Sequence, residues 1–419
     1  MLSSNTAYSG GGGAYGGTLN NCTLSGNTGG SPYYSGSGGG AACFSVLSHC
    51  TLAGNAAVWN GGGAQSCTLN NCTVTGNTAG NAGGGADSSV LSYCVLTDNS
   101  AYNGGGANLS ALASCLISSN TAWGNLGGGA NGGILESCTL TNNWGNHGGG
   151  AAGASLYNCL IVGNSSYFGG GVYSCQAYNC TLTGNTVNFS FGSSGGADSS
   201  TLNNCIVYYN TGNTSGNYNG GSFNYCCTTP LPGGTGNISD APLFANSAGA
   251  DFRLQTNSPC INVGNNSSVT NSADLDGRPR IVGGTVDIGA YEFQGVGMSE
   301  FIAWLQQYGL PTDGSADYTD ADGDGLNNWQ EWRAGTVPTN ALSVLKMASA
   351  TPTNNPPGLV VSWQSIGGIV YFLQSGTNLA ALPAFSTIQS NIVGQAGTTT
   401  YTDTTATNGG PYYYRVGVQ

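Results

Sequence analysis

The dominant pattern in this chain is a repeat in which apolar and polar positions recur at fixed distances. Nine cysteines are each followed by an aliphatic residue two positions later and by an asparagine five positions later. The cysteines are Cys22, Cys50, Cys72, Cys94, Cys115, Cys138, Cys159, Cys180 and Cys205, and the asparagines are Asn27, Asn55, Asn77, Asn99, Asn120, Asn143, Asn164, Asn185 and Asn210. Because Cys-x-Leu alternates with period two, both side chains point to one face of a short strand.

The shortest period is 21 residues, which is typical of a coil of three short strands joined by tight corners. An asparagine at a fixed corner stacks on its equivalent in the next coil, shares amide hydrogen bonds with it and tolerates a left-handed backbone. A Gly-Gly-Ala or Gly-Gly-Val triplet before each cysteine serves another sharp corner. The repeat has no 3.6-residue periodicity, which excludes a helical solenoid. Residues 1–228 are therefore predicted to form a right-handed parallel β-helix filled by ladders of like residues.

The chain begins within this pattern. Leu2 and Asn5 fall one coil before Leu24 and Asn27, so the first coil is incomplete and its open end presents unpaired strand edges. Two interpretations follow: a truncated chain, or end-to-end self-association through this coil. There is no basic start followed by an apolar stretch, and we expect a mature, trimmed or truncated product.

After Cys227 the register breaks, and a charged, proline-containing stretch follows, as expected of a terminal cap over residues 229–294. The Gly-Gly-Ala and Leu-x-x-Asn pattern resembles the β-helix repeats of bacterial surface proteins, including the polymorphic outer membrane protein type. The strings Ser258–Gly264, Asp274–Arg280 and Val286–Glu292 resemble the closing segment of choice-of-anchor Q proteins. Cys260 and Asn262 stand where that family more often has Ala and Asp. The resemblance implies a pectin-lyase-like solenoid on a bacterial surface or in the extracellular space.

Residues 295–340 contain a short amphipathic helix and an acidic loop. The predicted helix runs from Glu300 to Leu310, with Phe301, Trp304 and Leu305 on one face. The loop has oxygen ligands at positions one, three, five, nine and twelve, a backbone carbonyl at seven and a glycine at six, which suits Ca²⁺. The predicted ligands are Asp320, Asp322, Asp324, Leu326, Asn328 and Glu331. The alternative is a solvated acidic turn. The loop resembles thrombospondin type 3 and dockerin-like calcium loops.

Residues 341–419 alternate strand-like runs with turn residues, which predicts a small β-sandwich. The early Trp363 and the late run Tyr412–Val416 resemble a fibronectin type III-related module. The fold class is therefore all-β: a right-handed parallel β-helix, a short helical calcium-loop linker and a small β-sandwich.

The net charge and the cysteine content limit the kinds of partner and of chemistry that are expected. The formal charge is −12 with only six Lys and Arg, so a nucleic-acid partner is not expected. No apolar run is long enough for a transmembrane segment. The repeated cysteines are expected to be buried, free thiols that fill a narrow core. Cys67 with Cys72, and Cys175 with Cys180, are local exceptions that could pair, and Cys226–Cys227 stays ambiguous.

Catalytic chemistry is hard to assemble in the helix. Residues 1–252 contain no Lys or Arg, and the carboxylates up to Cys227 are Asp87, Asp98, Glu136 and Asp198, at coil positions that do not bring them together. His49 and His147 have no carboxylate at a matching register. We therefore expect a protein that is not an enzyme. A polysaccharide lyase or glycoside hydrolase with its site in loops is one alternative, and a self-assembling extracellular fibre is another.

Aromatic residues follow the corner asparagine by three or four positions in several coils. This aromatic edge consists of Tyr8, Trp59, Tyr102, Trp123 and Tyr167. Further aromatics in the same loops are Tyr33, Tyr34, Trp144, Phe168, Phe189 and Phe191. Such rings either form a platform for the sugar rings of an extracellular polysaccharide or cell-surface glycan, or pack on one another to shield the corner. The predicted role is adhesion, glycan contact or surface architecture.

Overall fold

A computed structural model describes residues 1–33, 38–187, 193–213, 215–282, 284–295, 298–312, 316, 319–379, 385–407 and 410–418. The chain divides into two compact units, Met1–Gly295 and Val296–Gln419. Neither α-helix in these ranges has the length and apolar character needed to span a bilayer.

The first unit is a right-handed parallel β-helix, as predicted. Its coils carry four short strands rather than three, and the strands stack into four parallel sheets within the described ranges. Sheet A contains Leu2–Ser3, Thr23–Ser25, Thr51–Ala53, Thr73–Thr75, Val95–Thr97, Leu116–Ser118, Thr139–Thr141, Leu160–Val162, Thr181–Thr183, Ile206–Tyr208 and Cys227–Thr228. Sheet B contains Thr6–Ala7, Thr28–Gly29, Ala56–Ala57, Thr78–Ala82, Ser100–Asn103, Thr121–Leu126, Trp144–His147, Ser165–Phe168 and Thr186–Val187. Sheet C contains Ala14–Tyr15, Ala42–Cys43, Ala64–Gln65, Ala86–Asp87, Ala107–Asn108, Ala130–Asn131, Ala151–Ala152, Val172–Tyr173, Ala197–Asp198 and Tyr218–Asn219. Sheet D contains Thr18–Asn20, Val46–Ser48, Thr68–Asn70, Val90–Ser92, Ala111–Ala113, Ile134–Glu136, Ser155–Tyr157, Gln176–Tyr178, Thr201–Asn203 and Ser222–Asn224.

Sheet C is the strand set that the sequence pattern did not predict. Eight of its ten strands begin at the last residue of a glycine triplet, and Ala64 and Gln65 pair in register with Ala86 and Asp87 of the next coil. The preceding glycines pack against neighbouring coils: a Cβ on Gly84 would lie 2.5 Å from the Gly105 carbonyl oxygen. The triplet is therefore both a corner and the start of a strand.

The cysteines form the predicted interior column. Cys94, Cys115 and Cys138 are at most 2% exposed and belong to one apolar core. The backbone N–H of Cys94 donates to Sγ of Cys115 at 3.4 Å, and that of Cys115 donates to Sγ of Cys138 at 3.5 Å. None of the 15 cysteines is joined in a disulfide in this structure. A small, weakly polar side chain in every coil thus fills a core that stacking leaves narrow.

The asparagines form a second column of hydrogen bonds. Asn77 donates from its backbone N–H and from Nδ2 to Oδ1 of Asn99, at 3.0 and 2.9 Å. The expectation that these asparagines adopt the left-handed conformation is wrong. That conformation belongs to the preceding residue, as in Gly76 (φ +63°) and Asp98 (φ +55°), so the asparagine remains free to turn its amide along the helix axis.

Residues 241–295, the lateral segment, run back along the outside of the β-helix. They contain a hairpin of Phe244–Asn246 and Asp251–Leu254 and two 3₁₀ turns, Ser247–Gly249 and Asn266–Ser268. The Ala290 N–H donates to Oγ1 of Thr181 at 3.0 Å, on the outer face of sheet A. Gly289 adopts φ +115°, and a Cβ there would lie 2.7 Å from Cδ1 of Ile206. The segment predicted as a terminal cap therefore covers a side of the solenoid.

The lateral segment contains a buried charge cluster. Arg280 is 1% exposed, donates from Nη2 to the Asp287 and Gly289 carbonyl oxygens at 2.9 and 2.7 Å, and lies 3.9 Å from Oε2 of Glu292. Glu292 accepts from the backbone N–H groups of Val282 and Asp287 at 2.8 and 2.9 Å. Burial, and secondarily the Asp287 carboxylate, raise the pKa of Glu292 to about 8. Burial likewise raises the pKa of Asp287 to about 6. Three carboxyl groups, those of Asp274, Asp287 and Glu292, lie near one buried guanidinium, which balances a single negative charge. Their raised pKa values mean that bound protons neutralise part of the remaining negative charge.

The described residues of the second unit form two helices and two antiparallel sheets. Helix α1 spans Met298–Gln307 and helix α2 spans Asn328–Ala334. Phe301 of α1 lies edge-on to Trp329 of α2, with ring centroids 4.9 Å apart. One sheet contains Met347–Asn354, Pro357–Ser365 and Gly397–Asp403, and the other contains Ser386–Val393, Val370–Gly376 and Tyr413–Val418. The sheets pack as a small β-sandwich around Val361, Trp363, Tyr371 and Leu373.

Candidate functional site

The acidic loop brings three predicted metal ligands together. Asp320, Asp322 and Asp324 each place a carboxylate oxygen so that these atoms lie within 4.8 Å of one another. The loop is closed by short local bonds: Asp320 accepts from the N–H groups of Gly323 and Gly325 at 2.7 and 2.9 Å. These bonds lower the pKa of Asp320, the bond from Gly325 most of all. The carboxylate at position one is therefore held in its charged form.

The remaining predicted ligands lie at the start of helix α2. Asn327 caps this helix and forms a reciprocal capping box with Gln330, which fixes the first turn. Asn328 and Glu331 within that turn are fully buried. The N–H of Leu326 donates to Oδ1 of Asp324 at 2.8 Å, so the chain between loop and helix is also tied.

Four oxygen atoms of this region are buried without a hydrogen-bond donor among the described residues. They are Oδ2 of Asp322, Oδ2 of Asp324, Oδ1 of Asn328 and Oε2 of Glu331. The other end of the Asn328 amide is used, because Nδ2 donates to the Ala316 carbonyl oxygen at 2.7 Å. Buried oxygens without donors are destabilising unless a cation neutralises them. The residues therefore fit an oxygen-liganded cation such as Ca²⁺.

Electrostatics at Glu331 point the same way. Burial, followed by the negative charges of Asp322 and Asp324, raises the pKa of Glu331 to about 7. One neutral donor, Oγ1 of Thr336, lies 3.3 Å from its Oε1. The carboxylates of the loop thus lie close together, and backbone N–H groups of the loop donate hydrogen bonds to Asp320 and Asp324.

The aromatic edge is only partly assembled by the fold. Ser100 and Ala101 pair in register with Thr121 and Ala122 of the next coil, which places Tyr102 beside Trp123. Their rings meet edge to face with centroids 5.1 Å apart. Tyr102 is 43% exposed and Trp123 is 54% exposed, so the pair combines a fixed geometry with accessible ring surface. A Cβ on Gly124 would lie 2.2 Å from the Tyr102 ring, so this glycine allows the ring to lie flat against the strand.

The other three edge residues are placed differently. Tyr167 lies edge to face with Trp144 of the preceding coil, at a centroid distance of 6.0 Å. Trp59 donates from Nε1 to the Ser31 carbonyl oxygen at 2.9 Å, which ties its ring to the neighbouring coil. Tyr8 is 78% exposed and lies in the first coil, four coils from Tyr102, which corresponds to about 19 Å at the spacing of stacked strands.

A further aromatic group was not predicted as a unit. His147 stacks on Phe168 with centroids 5.0 Å apart and meets Tyr173 edge to face at 4.8 Å. The register signal was available, because His147 and Phe168 occupy equivalent positions of neighbouring strands. Of the other aromatics in these loops, Tyr34, Phe189 and Phe191 lie outside the described residues.

The carboxylates of the β-helix are engaged in local contacts. Asp87 is buried and accepts from Nδ2 of Asn108 at 2.7 Å, and burial raises its pKa. Asp198 is buried and accepts from the hydroxyls of Ser193 and Ser199. Glu136 accepts from Nδ2 of Asn271 at 2.8 Å, and Asp98 from Oγ1 of Thr97 at 3.2 Å. Each carboxylate thus has a local structural partner.

Comparison with known proteins adds little beyond the fold. No family model and no curated protein matches the chain. Among solved structures, a crystal structure of pectate lyase Pel9A is similar, with 16% sequence identity and a TM-score of 0.30. The match covers 64% of this chain and 72% of that one. At this level the similarity carries no argument about activity.

Proposed function

We propose that the protein is a non-catalytic, secreted or cell-surface β-helix protein that contacts polysaccharide through its paired aromatics. The paired aromatics are Tyr102 with Trp123 and Trp144 with Tyr167. The observation that carries the proposal is the exposure of the first pair in a fixed edge-to-face geometry. Sugar rings present axial C–H faces that stack on aromatic rings, and rings held rigidly lose little entropy on binding.

Charge supports a glycan rather than a nucleic acid as the ligand. The chain has a formal charge of −12, and Lys and Arg are absent from residues 1–252. A polyanion would therefore find no cationic side chain along the β-helix. The expected ligand is a neutral polysaccharide, or one whose charges point away from the aromatic rings.

The same composition supports the proposal of a non-catalytic role. Lyase chemistry requires a base, and paired-carboxylate hydrolysis requires two carboxyl groups within a few ångströms of each other. In residues 1–252 no Lys or Arg is available as that base. The four carboxylates of the repeats each have the local partners described above.

A binding assay with immobilised polysaccharides tests the glycan proposal. Cellulose, xylan, alginate and polygalacturonate sample neutral and acidic chains. Trp123→Ala and Tyr102→Ala should each weaken retention by about tenfold, the loss of one stacked ring. Tyr93→Ala is the matched control, because Tyr93 lies in the same coil as Tyr102, is 64% exposed and faces another corner. Equal retention of all variants, or release of unsaturated or reducing products, would contradict the proposal.

We also propose that the acidic loop binds Ca²⁺ through Asp320, Asp322, Asp324, Asn328, Glu331 and the carbonyl oxygen of Leu326. The donor-free buried oxygens of Asp322, Asp324, Asn328 and Glu331 support it. When bound, the ion would neutralise these carboxylates and tie the loop to helix α2. Calorimetric titration with CaCl₂ should show binding by the parent and its loss in Asp322→Ala. Asp98→Ala, which removes an exposed carboxylate from the β-helix, is the control, and equal heats in all three proteins would exclude the site.

Location and family membership are proposed on the resemblances described above. The closing strings of the lateral segment support membership of the choice-of-anchor Q proteins, and the terminal β-sandwich supports a fibronectin type III-like module. Both suit an extracellular or cell-surface protein. Antibody labelling of intact bacterial cells and of the culture medium would detect it there, and a strictly intracellular signal would contradict the location.

A further inference from the structure

The neighbours Cys226 and Cys227 belong to different apolar clusters. Cys226 lies in the interior core with Cys205 and the rest of the cysteine column. Cys227 pairs in register with Ile206, an outward position of sheet A, and lies in a second cluster with Phe252 and Cys260. Successive residues of a strand face opposite sides, so the vicinal pair is divided between the two layers.

Cys260 approaches Cys227 from the lateral segment. Its backbone is fixed by two bonds: its carbonyl oxygen accepts from the Ile288 N–H at 2.9 Å, and its own N–H donates to Oγ of Ser258 at 3.2 Å. The Cys227 N–H donates to the Cys205 carbonyl oxygen at 2.9 Å. Both side chains are 0% exposed and lie in the same apolar cluster, where Sγ of Cys227 donates to the Asp240 carbonyl oxygen at 3.2 Å. Two ordered backbones thus present thiols to each other across an interface.

This arrangement differs from that of the interior column. There, equivalent side chains of stacked coils point the same way. Sulfurs in both places donate to backbone carbonyl oxygens, as Sγ of Cys138 does to Glu136 at 3.3 Å and Sγ of Cys227 does to Asp240, so the difference lies in the direction from which the side chains approach each other. Side chains of Cys227 and Cys260 come from opposing layers, so a bond between their sulfurs requires no rotation against stacked neighbours.

We propose that Cys227 and Cys260 form a disulfide that fastens the lateral segment to the last coil of the β-helix. The oxidant is a small-molecule disulfide such as oxidised glutathione. The two cysteines lose two protons and two electrons as their sulfur–sulfur bond forms, and the bond of the oxidant breaks to give two thiols. The proposal does not depend on the ligand or on calcium.

The thiol–disulfide exchange that forms this bond takes place during folding, before the lateral segment docks on sheet A. Contact with Cys260 and burial raise the pKa of the Cys227 thiol, so the thiolate needed for exchange is scarce once the lateral segment has docked. A disulfide formed before docking would close a loop over the 33 residue steps from 227 to 260 and restrict the unfolded segment.

Peptide mapping of the parent protein tests the pairing directly. The full chain is refolded with a mixture of reduced and oxidised glutathione, denatured with an alkylating reagent present, digested and analysed without reduction. The expected product joins the peptides of Cys227 and Cys260 and separates on reduction, while the interior cysteines are recovered alkylated. Alkylated thiols at both positions, or pairing of either with another cysteine, would overturn the proposal.

Limited proteolysis measures what the bond does. In the parent, reduction should speed cleavage within residues 229–259 on the order of a hundredfold, because the lateral segment then opens without a covalent tether. Cys260→Ala should be cleaved at the faster rate with or without reductant. Cys226→Ala, one residue from the proposed bond, should keep the dependence on reductant. The same rate for oxidised and reduced parent would contradict a fastening role.

Discussion

Asn99→Ala should destabilise the β-helix strongly, although it removes only a small polar side chain. Oδ1 of Asn99 accepts from the backbone N–H and Nδ2 of Asn77, and Nδ2 of Asn99 donates to the Val74 carbonyl oxygen and Oδ1 of Asn120, all at 2.9–3.0 Å. Alanine removes four hydrogen bonds in a fully buried position and leaves the Asn77 N–H without an acceptor. A buried donor left unpaired costs about 1–3 kcal/mol and each of the three further bonds about 1 kcal/mol, so the expected loss is about 4–6 kcal/mol.

Asn5→Ala is the matched control at the end of the same column. Asn5 is exposed, and its backbone N–H still reaches Oδ1 of Asn27 at 3.0 Å after the side chain is removed. Only the bond from Nδ2 to Asn27, at 2.9 Å, is lost, which costs about 0.5–1 kcal/mol. Urea denaturation followed by circular dichroism gives both free energies of unfolding, and hydrogen exchange of the Asn77 amide reports the local effect. Equal unfolding free energies for the two variants would refute the assignment of stability to this column.

Three further predictions concern the core, the charge cluster and the loop. Leu140→Ala, at a fully buried interior position, should cost about 2–5 kcal/mol in urea denaturation, because neighbouring coils cannot collapse into the space. The raised pKa of Glu292 means that the folded first unit retains a proton that the unfolded chain releases. Its stability should therefore fall as pH rises from 4.5 to about 8, and Glu292→Gln should flatten that slope. Chelation with EDTA should lower the melting temperature of the second unit and leave that of the first unchanged, as calorimetry can resolve; a common shift would contradict the proposed site.

The repeat made most of the first unit predictable. A side chain that recurs in every coil meets a copy of itself, so the cysteine and asparagine columns follow from spacing alone. The strands of sheet C, such as Ala86–Asp87, were not predicted, because a strand of two residues is too short to show an alternation of apolar and polar positions. The left-handed corner residue, such as Asp98, was not predicted either. This position varies among Gly, Ser, Asn, Asp and Tyr from coil to coil, whereas the asparagine that follows it is constant but is not left-handed.

The lateral segment lay beyond this kind of reasoning. Its docking depends on contacts between residues far apart in the chain, such as Ala290 with Thr181, and no periodicity links them. The same holds for Cys260, whose partner becomes evident only when the segment is placed over sheet A. In the acidic loop, by contrast, the ligand positions follow a local spacing, and the structure brings three of its carboxylates together.

Because the coils stack at a constant spacing, a ligand that lies along the axis of the β-helix meets equivalent positions at regular intervals. Neighbouring coils are about 4.8 Å apart, so the pairs that begin at Tyr102 and at Trp144 are offset by two such steps, about 10 Å. A linear polymer whose monomer length is commensurate with this pitch would engage both pairs at once and gain avidity, whereas one of different pitch would drift out of phase after the first contact.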